Sequence, residues 1–155
     1  MKHLLRLFTW TRCFVLSSFI LPLLIFFSFY GLYSNKFYFF KIDNYIFPIL
    51  ALVHFLFLNS LWLADKDLNY ENNSMRNLEY GMYAIFLVYS FKFSETIYIL
   101  LSYLDYSEQI FPQTFLPVGL TILSLQLILL IVTLLTFQHR KERLGPYHFD
   151  KINEI

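Results

Sequence analysis

The chain has 155 residues, of which 57% are hydrophobic, 21% aromatic and only 15% charged, and its formal net charge is +1. Soluble domains average about 25% charged residues, so this composition argues against a water-soluble globular protein. The weak net charge gives no basis for nucleic-acid binding. The single cysteine, Cys13, excludes an intrachain disulfide and with it a thiol oxidoreductase built on cysteine pairs.

Four apolar stretches are each long enough to cross a bilayer, since a helical crossing needs about 20 mostly apolar residues. They run over 13–33, 45–64, 80–104 and 110–137. Lys2, Arg6 and Arg12 precede the first stretch, as in a secretory signal, but its apolar run is longer than the ~7–15 residues of a signal core. We therefore predict an all-α integral membrane protein. It would be one four-transmembrane-helix bundle over 1–155, with a short tail at 138–155.

Basic residues are distributed unevenly between the two sides that four spans would define. Nine lysines and arginines fall on the side of the termini and two on the other, whereas a third stretch lying on the surface would give six against six. The nine are Lys2, Arg6, Arg12, Lys66, Arg76, Arg140, Lys141, Arg143 and Lys151, and the two are Lys36 and Lys41. Because basic residues favour the cytoplasmic side, the sequence predicts that both termini are cytoplasmic. We take the membrane to be a bacterial inner membrane.

The third stretch carries a lysine and a glutamate near its midpoint, where charge is costly. Lys92 and Glu95 are three residues apart and therefore share a helix face. A lone lysine at the centre of a span costs about 2.5–3.5 kcal/mol on insertion scales, so both side chains should point away from lipid. Tyr89 and Thr96 lie on the same face, where they can hydrogen-bond to the pair.

Two other spans place polar groups at a similar depth. His54 lies midway along the second span and Gln126 midway along the fourth. Gln126 belongs to a series spaced by seven residues, which stays on one helix face for a few turns and predicts the seam that faces the bundle. The series is Pro112, Gly119, Gln126, Thr133 and Arg140. We predict an intramembrane polar layer of His54, Lys92, Glu95 and Gln126, supported by Tyr89, Thr96, Gly119 and Thr133.

A basic cluster of Arg140, Lys141 and Arg143 follows the last span. The first interpretation of this cluster is that it sets the orientation of the chain in the membrane. The alternative is that it contacts anionic lipid headgroups, an interaction worth about 1 kcal/mol per basic residue near the surface. The sequence contains no Gly-rich phosphate loop, no Gly-x-Ser-x-Gly elbow and no His-Glu-x-x-His pair. We therefore predict no metal site, no cofactor and no catalytic residue.

In size and layout the chain resembles immunity proteins against pore-forming bacteriocins, and small accessory subunits of membrane complexes share that layout. The resemblance is one of architecture alone. We expect a protein that acts non-enzymatically within the bilayer, with a membrane-protein partner or further copies of itself. The alternative is a small oligomeric channel or transporter for protons or solutes, in which Lys92 and Glu95 titrate or gate. The third hypothesis is that the chain is an intramembrane enzyme.

Overall fold

The computed structural model describes residues 8–66, 72–106 and 111–145. Within these residues the chain forms four α-helices. A short β-ladder and a 3₁₀ turn connect the first two helices. The helices are α1 (Trp10–Ser28), α2 (Ile46–Lys66), α3 (Asn72–Asp105) and α4 (Phe115–Leu144). Each contains a segment long and apolar enough to cross a membrane. The predicted all-α membrane bundle is confirmed in this respect, and the architecture fits an integral membrane protein.

The first helix is shorter than its predicted span. It ends at Ser28, and the chain then forms an antiparallel ladder between β1 (Tyr30–Gly31) and β2 (Lys36–Phe37). Gly31 allows this turn to close, because a Cβ at its position would lie 2.6 Å from the ring of Tyr38. Hydropathy could not detect this end of the helix, since the residues of the ladder are as aromatic as those of the span.

The third and fourth helices are longer than their predicted spans. α3 begins at Asn72 instead of Tyr80, and α4 continues to Leu144 instead of ending at Phe137. The first part of the predicted tail is therefore helical. Hydropathy stops at the first charged residues, whereas both helices continue, and Glu79 in the extension of α3 pairs with Arg140 in the extension of α4 inside the bundle. Gly145 follows α4 with a φ of 72°, a left-handed conformation that suits glycine and ends the helix.

The helices pack in a ring in chain order, and α4 closes the ring against α1. This arrangement brings the two ends of the described chain together, so that His139 Nε2 lies 2.7 Å from the carbonyl oxygen of Phe8. We call this the termini end of the bundle. The opposite end, which contains the β-ladder and the start of α4, is the hairpin end. The predicted turn between α3 and α4 falls largely on 107–110, outside the described residues.

Small residues bring the helices close together along the predicted seam of α4. Gly119, Thr133 and Arg140 of the seven-residue series are buried. A Cβ at Gly119 would lie 2.5 Å from Leu100 Cδ2, so α3 and α4 approach closely there. Large apolar side chains instead cover the outer faces of the helices, as a lipid environment requires. They include Phe19, Leu52, Leu87, Phe91 and Leu120.

Candidate functional site: a polar cleft at mid-span

A cleft of about 710 Å³ lies between the hairpin-end loop and the helices. The loop contributes Ser34, Tyr38 and Asn44 to its lining, and the helices contribute its deeper polar groups. Those groups are Lys92, Glu95 and Thr96 of α3 and Gln126 of α4. The volume falls in the range of roughly 300–1,000 Å³ that is typical of small-molecule sites.

Lys92 and Glu95 form an ion pair in this cleft. Lys92 Nζ donates a hydrogen bond to Glu95 Oε2 at 2.7 Å, as their spacing on one helix face allows. The pair lies near the middle of the span Met75–Asp105. Its side chains are 41% and 43% exposed, so the charges face an open cleft and are not enclosed by protein. The spacing of the two residues predicted that they share a helix face, but we expected them inside a buried layer, and they are instead partly exposed.

Gln126 reaches the same cleft from the facing helix. Its Oε1 atom is buried and has no hydrogen-bond partner among the described residues. Thr96 also lines the cleft, but its hydroxyl donates to the backbone carbonyl of Lys92 at 3.0 Å instead of to the charged side chains. A residue that lines the cleft therefore has an unused hydrogen-bond acceptor just beneath the surface.

His54 is separate from the cleft. It is fully buried, and its Nδ1 lies 3.3 Å from the hydroxyl of Tyr89, which is also buried. Tyr89 and Lys92 are three residues apart on α3, so their directions differ by about 60° around a helix with 3.6 residues per turn. Tyr89 consequently meets α2, while Lys92 turns into the cleft. The single predicted layer thus divides into a cleft group and a buried His54–Tyr89 pair.

A second ion pair, which the sequence analysis missed, lies at the termini end. Arg140 Nη2 is 2.6 Å from Glu79 Oε1, and the side chains are only 9% and 2% exposed. Tyr83 donates to the same carboxylate oxygen at 2.7 Å, and Arg140 Nη1 donates to the carbonyl of Gly145 at 3.0 Å. The available signal was an acidic residue at the start of one helix and a basic residue at the end of the next.

This burial changes the interpretation of the basic cluster. The role in binding lipid headgroups that we expected for Arg140 does not fit a guanidinium enclosed by protein and hydrogen-bonded to Glu79. Arg143 is half-exposed and donates to both carboxylate oxygens of Asp65, at 2.6 and 2.8 Å. Lys141 is exposed. Headgroup contact stays a prediction for Lys141 and Arg143.

An aromatic cluster formed by α2, α3 and α4 lies between the Lys92–Glu95 pair and the Arg140–Glu79 pair. The ring of Phe137 is 4.8 Å from that of Tyr83, 5.9 Å from Phe57 and 6.4 Å from Phe86, centroid to centroid. Along α3 the order from the termini end is therefore Glu79, this cluster, Tyr89 and then the cleft. The packed rings therefore lie between the cleft and the termini end.

In the part of the chain that the structure describes, no group of three or more histidine, cysteine, aspartate or glutamate side chains is placed to hold a metal ion. Comparison with protein-family models, with curated proteins and with solved structures gave no match. The cleft and its polar groups are therefore the features of this chain that bear on its function.

Proposed function

We propose that this chain is a small multi-pass inner-membrane protein that acts non-enzymatically, by binding a partner within the bilayer at the cleft. The expected kinds of role are those of an immunity-type protein or an accessory subunit of a membrane complex. The unequal distribution of basic residues supports cytoplasmic termini. In that orientation the cleft opens towards the opposite, external side of the membrane.

The observation that carries this proposal is the half-exposed ion pair in a cleft near the middle of a span. Ionisable groups at this depth are costly and commonly mark functional sites. A pair that served only to join helices would be enclosed by them, as Glu79 and Arg140 are. Lys92 and Glu95 instead leave a large part of their surface open, and polar groups of a bound partner or water would satisfy it.

Site-specific photocrosslinking in the membranes of the native host tests this proposal. A photoreactive phenylalanine analogue would replace Tyr38, which lines the cleft, or Phe40, which is fully exposed on the same segment and is not part of the lining. We expect a discrete protein adduct from the Tyr38 position and none from the Phe40 position. The adduct should weaken when Lys92→Met and Glu95→Gln are combined. Equal adducts from both positions, or none from Tyr38, would contradict the proposal.

The second candidate is translocation of protons or a small solute, and the depth of the ion pair favours it. The cleft extends from one end of the bundle to charged groups near mid-span, as in one half of a transport pathway. The aromatic cluster around Phe137 would then have to open for the substrate to reach the termini end. Flux measured in reconstituted vesicles, with and without the substitutions at Lys92 and Glu95, would identify this function.

A further inference from the structure

The proposed function takes the cleft as a site that a protein partner contacts. On the premise that the cleft is a binding site, its lining also indicates the chemistry of a small ligand. We propose that the cleft binds a small zwitterion of the amino-acid type. The ligand's carboxylate would accept hydrogen bonds from Lys92, and its ammonium group would donate to Glu95 and Gln126.

The charges that line the cleft cancel. Lys92 and Glu95 together are neutral, and so are Lys41 and Asp43 of the loop. A ligand with a single charge would therefore meet one attractive and one repulsive group at the Lys92–Glu95 pair. Charges that are transferred from water without compensation are strongly disfavoured. A zwitterion has zero net charge and can place each of its charged groups beside the opposite charge on the protein.

The hydrogen-bonding capacity of the cleft fits the same kind of ligand. An ammonium has three N–H donors, and Lys92 donates one of them to Glu95 Oε2. Glu95 can accept further bonds, and the buried Oε1 atom of Gln126 has no donor in the described structure. Among the deeper charged and amide groups of the cleft, Lys92 supplies donors, Glu95 supplies acceptors and Gln126 supplies both. An ammonium and a carboxylate on neighbouring atoms match this distribution.

The remaining walls of the cleft are largely apolar. Apolar side chains surround the polar groups and would contact a hydrocarbon side chain of the ligand. They include Leu24, Phe27, Phe47, Ile99 and Ile122. Polar anchors in a mostly apolar cavity are the usual composition of a small-molecule site, in which a few polar groups fix the orientation of the ligand.

Ligand binding to the purified protein in nanodiscs tests the proposal. The zwitterions are glycine, leucine and phenylalanine. Two analogues of leucine separate its charges, since 3-methylbutylamine lacks the carboxylate and 4-methylpentanoate lacks the ammonium group. We expect at least one zwitterion to bind, and the corresponding single-charge compounds to bind roughly tenfold or more weakly, because each loses charge-assisted hydrogen bonds. Calorimetric titration measures all of these affinities.

Matched variants connect the binding to the cleft. Gln126→Leu and the double variant Lys92→Met with Glu95→Gln should each weaken zwitterion binding, whereas Leu120→Met on the outer face of α4 should leave it unchanged. Circular dichroism would confirm that each variant is folded. The proposal is overturned if no zwitterion binds, if 3-methylbutylamine or 4-methylpentanoate binds as tightly as leucine, or if the cleft variants bind normally.

These outcomes are distinguishable from those of the crosslinking experiment. A protein adduct at the Tyr38 position without zwitterion binding would refute the ligand class and leave the partner-binding function standing. Zwitterion binding without an adduct would support the ligand class and show that the cleft does not serve a protein partner.

Discussion

Replacing Arg140 should destabilise this protein far more than replacing Arg143, although the two arginines lie one turn apart on α4 and both pair with a carboxylate. Arg140→Met leaves the carboxylate of Glu79, which is 2% exposed, without its guanidinium partner. Arg143→Met releases Asp65, whose side chain is 34% exposed and can be hydrated. The contrast in burial therefore determines the expected effect.

The magnitude follows from the geometry. Unit charges 2.6 Å apart interact by about 6 kcal/mol at an effective dielectric constant of about 20. Loss of one partner of a buried pair typically costs about 3–5 kcal/mol, so we expect that range for Arg140→Met. An exposed pair contributes only about 0–1 kcal/mol, and we expect no more than that for Arg143→Met. Combining Arg140→Met with Glu79→Gln should recover much of the loss, because it removes the stranded charge.

The free energies of unfolding would be compared in mixed micelles by titration with a denaturing detergent, followed by far-ultraviolet circular dichroism. The substitution to methionine is the same at both positions, so helix propensity cancels between them. Equal losses for the two single variants would refute the reasoning. So would a double variant that is no more stable than Arg140→Met alone, since the stranded carboxylate could then not be the cause.

Three further predictions concern other parts of the bundle. Lys92→Met or Glu95→Gln alone should lower the folded yield, by less than Arg140→Met because the pair is half-exposed. The double variant should restore the yield while weakening the adduct at the Tyr38 position, and a double variant with a full-strength adduct would show that the ion pair does not take part in binding. Reporter fusions after α4 and in the turn between α3 and α4 should report opposite sides of the membrane, with the fusion after α4 in the cytoplasm. An external signal from the fusion after α4 would overturn the predicted orientation. Gly81→Ala, which meets no atom within 4 Å, should raise the melting temperature, since alanine favours a helix by up to about 1 kcal/mol. Gly119→Ala should raise the melting temperature less than Gly81→Ala, or lower it, because Leu100 must move. An equal rise in melting temperature at both glycines would contradict the close approach of α3 and α4.

The sequence by itself determined the features that depend on local pattern. Apolar stretches of sufficient length predicted the four helices, because the bilayer sets the minimum length of a span. The spacing of Lys92 and Glu95 predicted their contact, because residues three apart are neighbours on any helix.

Only the tertiary structure decided which polar groups are enclosed and which are open. Lys92 and Arg140 are both basic residues on long apolar helices, yet one faces a cleft and the other is buried against Glu79. This difference arises from how neighbouring helices are rotated and how closely they approach, and residue spacing within one helix does not specify either. The same rotation directs Tyr89 towards His54 and Lys92 into the cleft, and so divides a layer that sequence depth alone had joined.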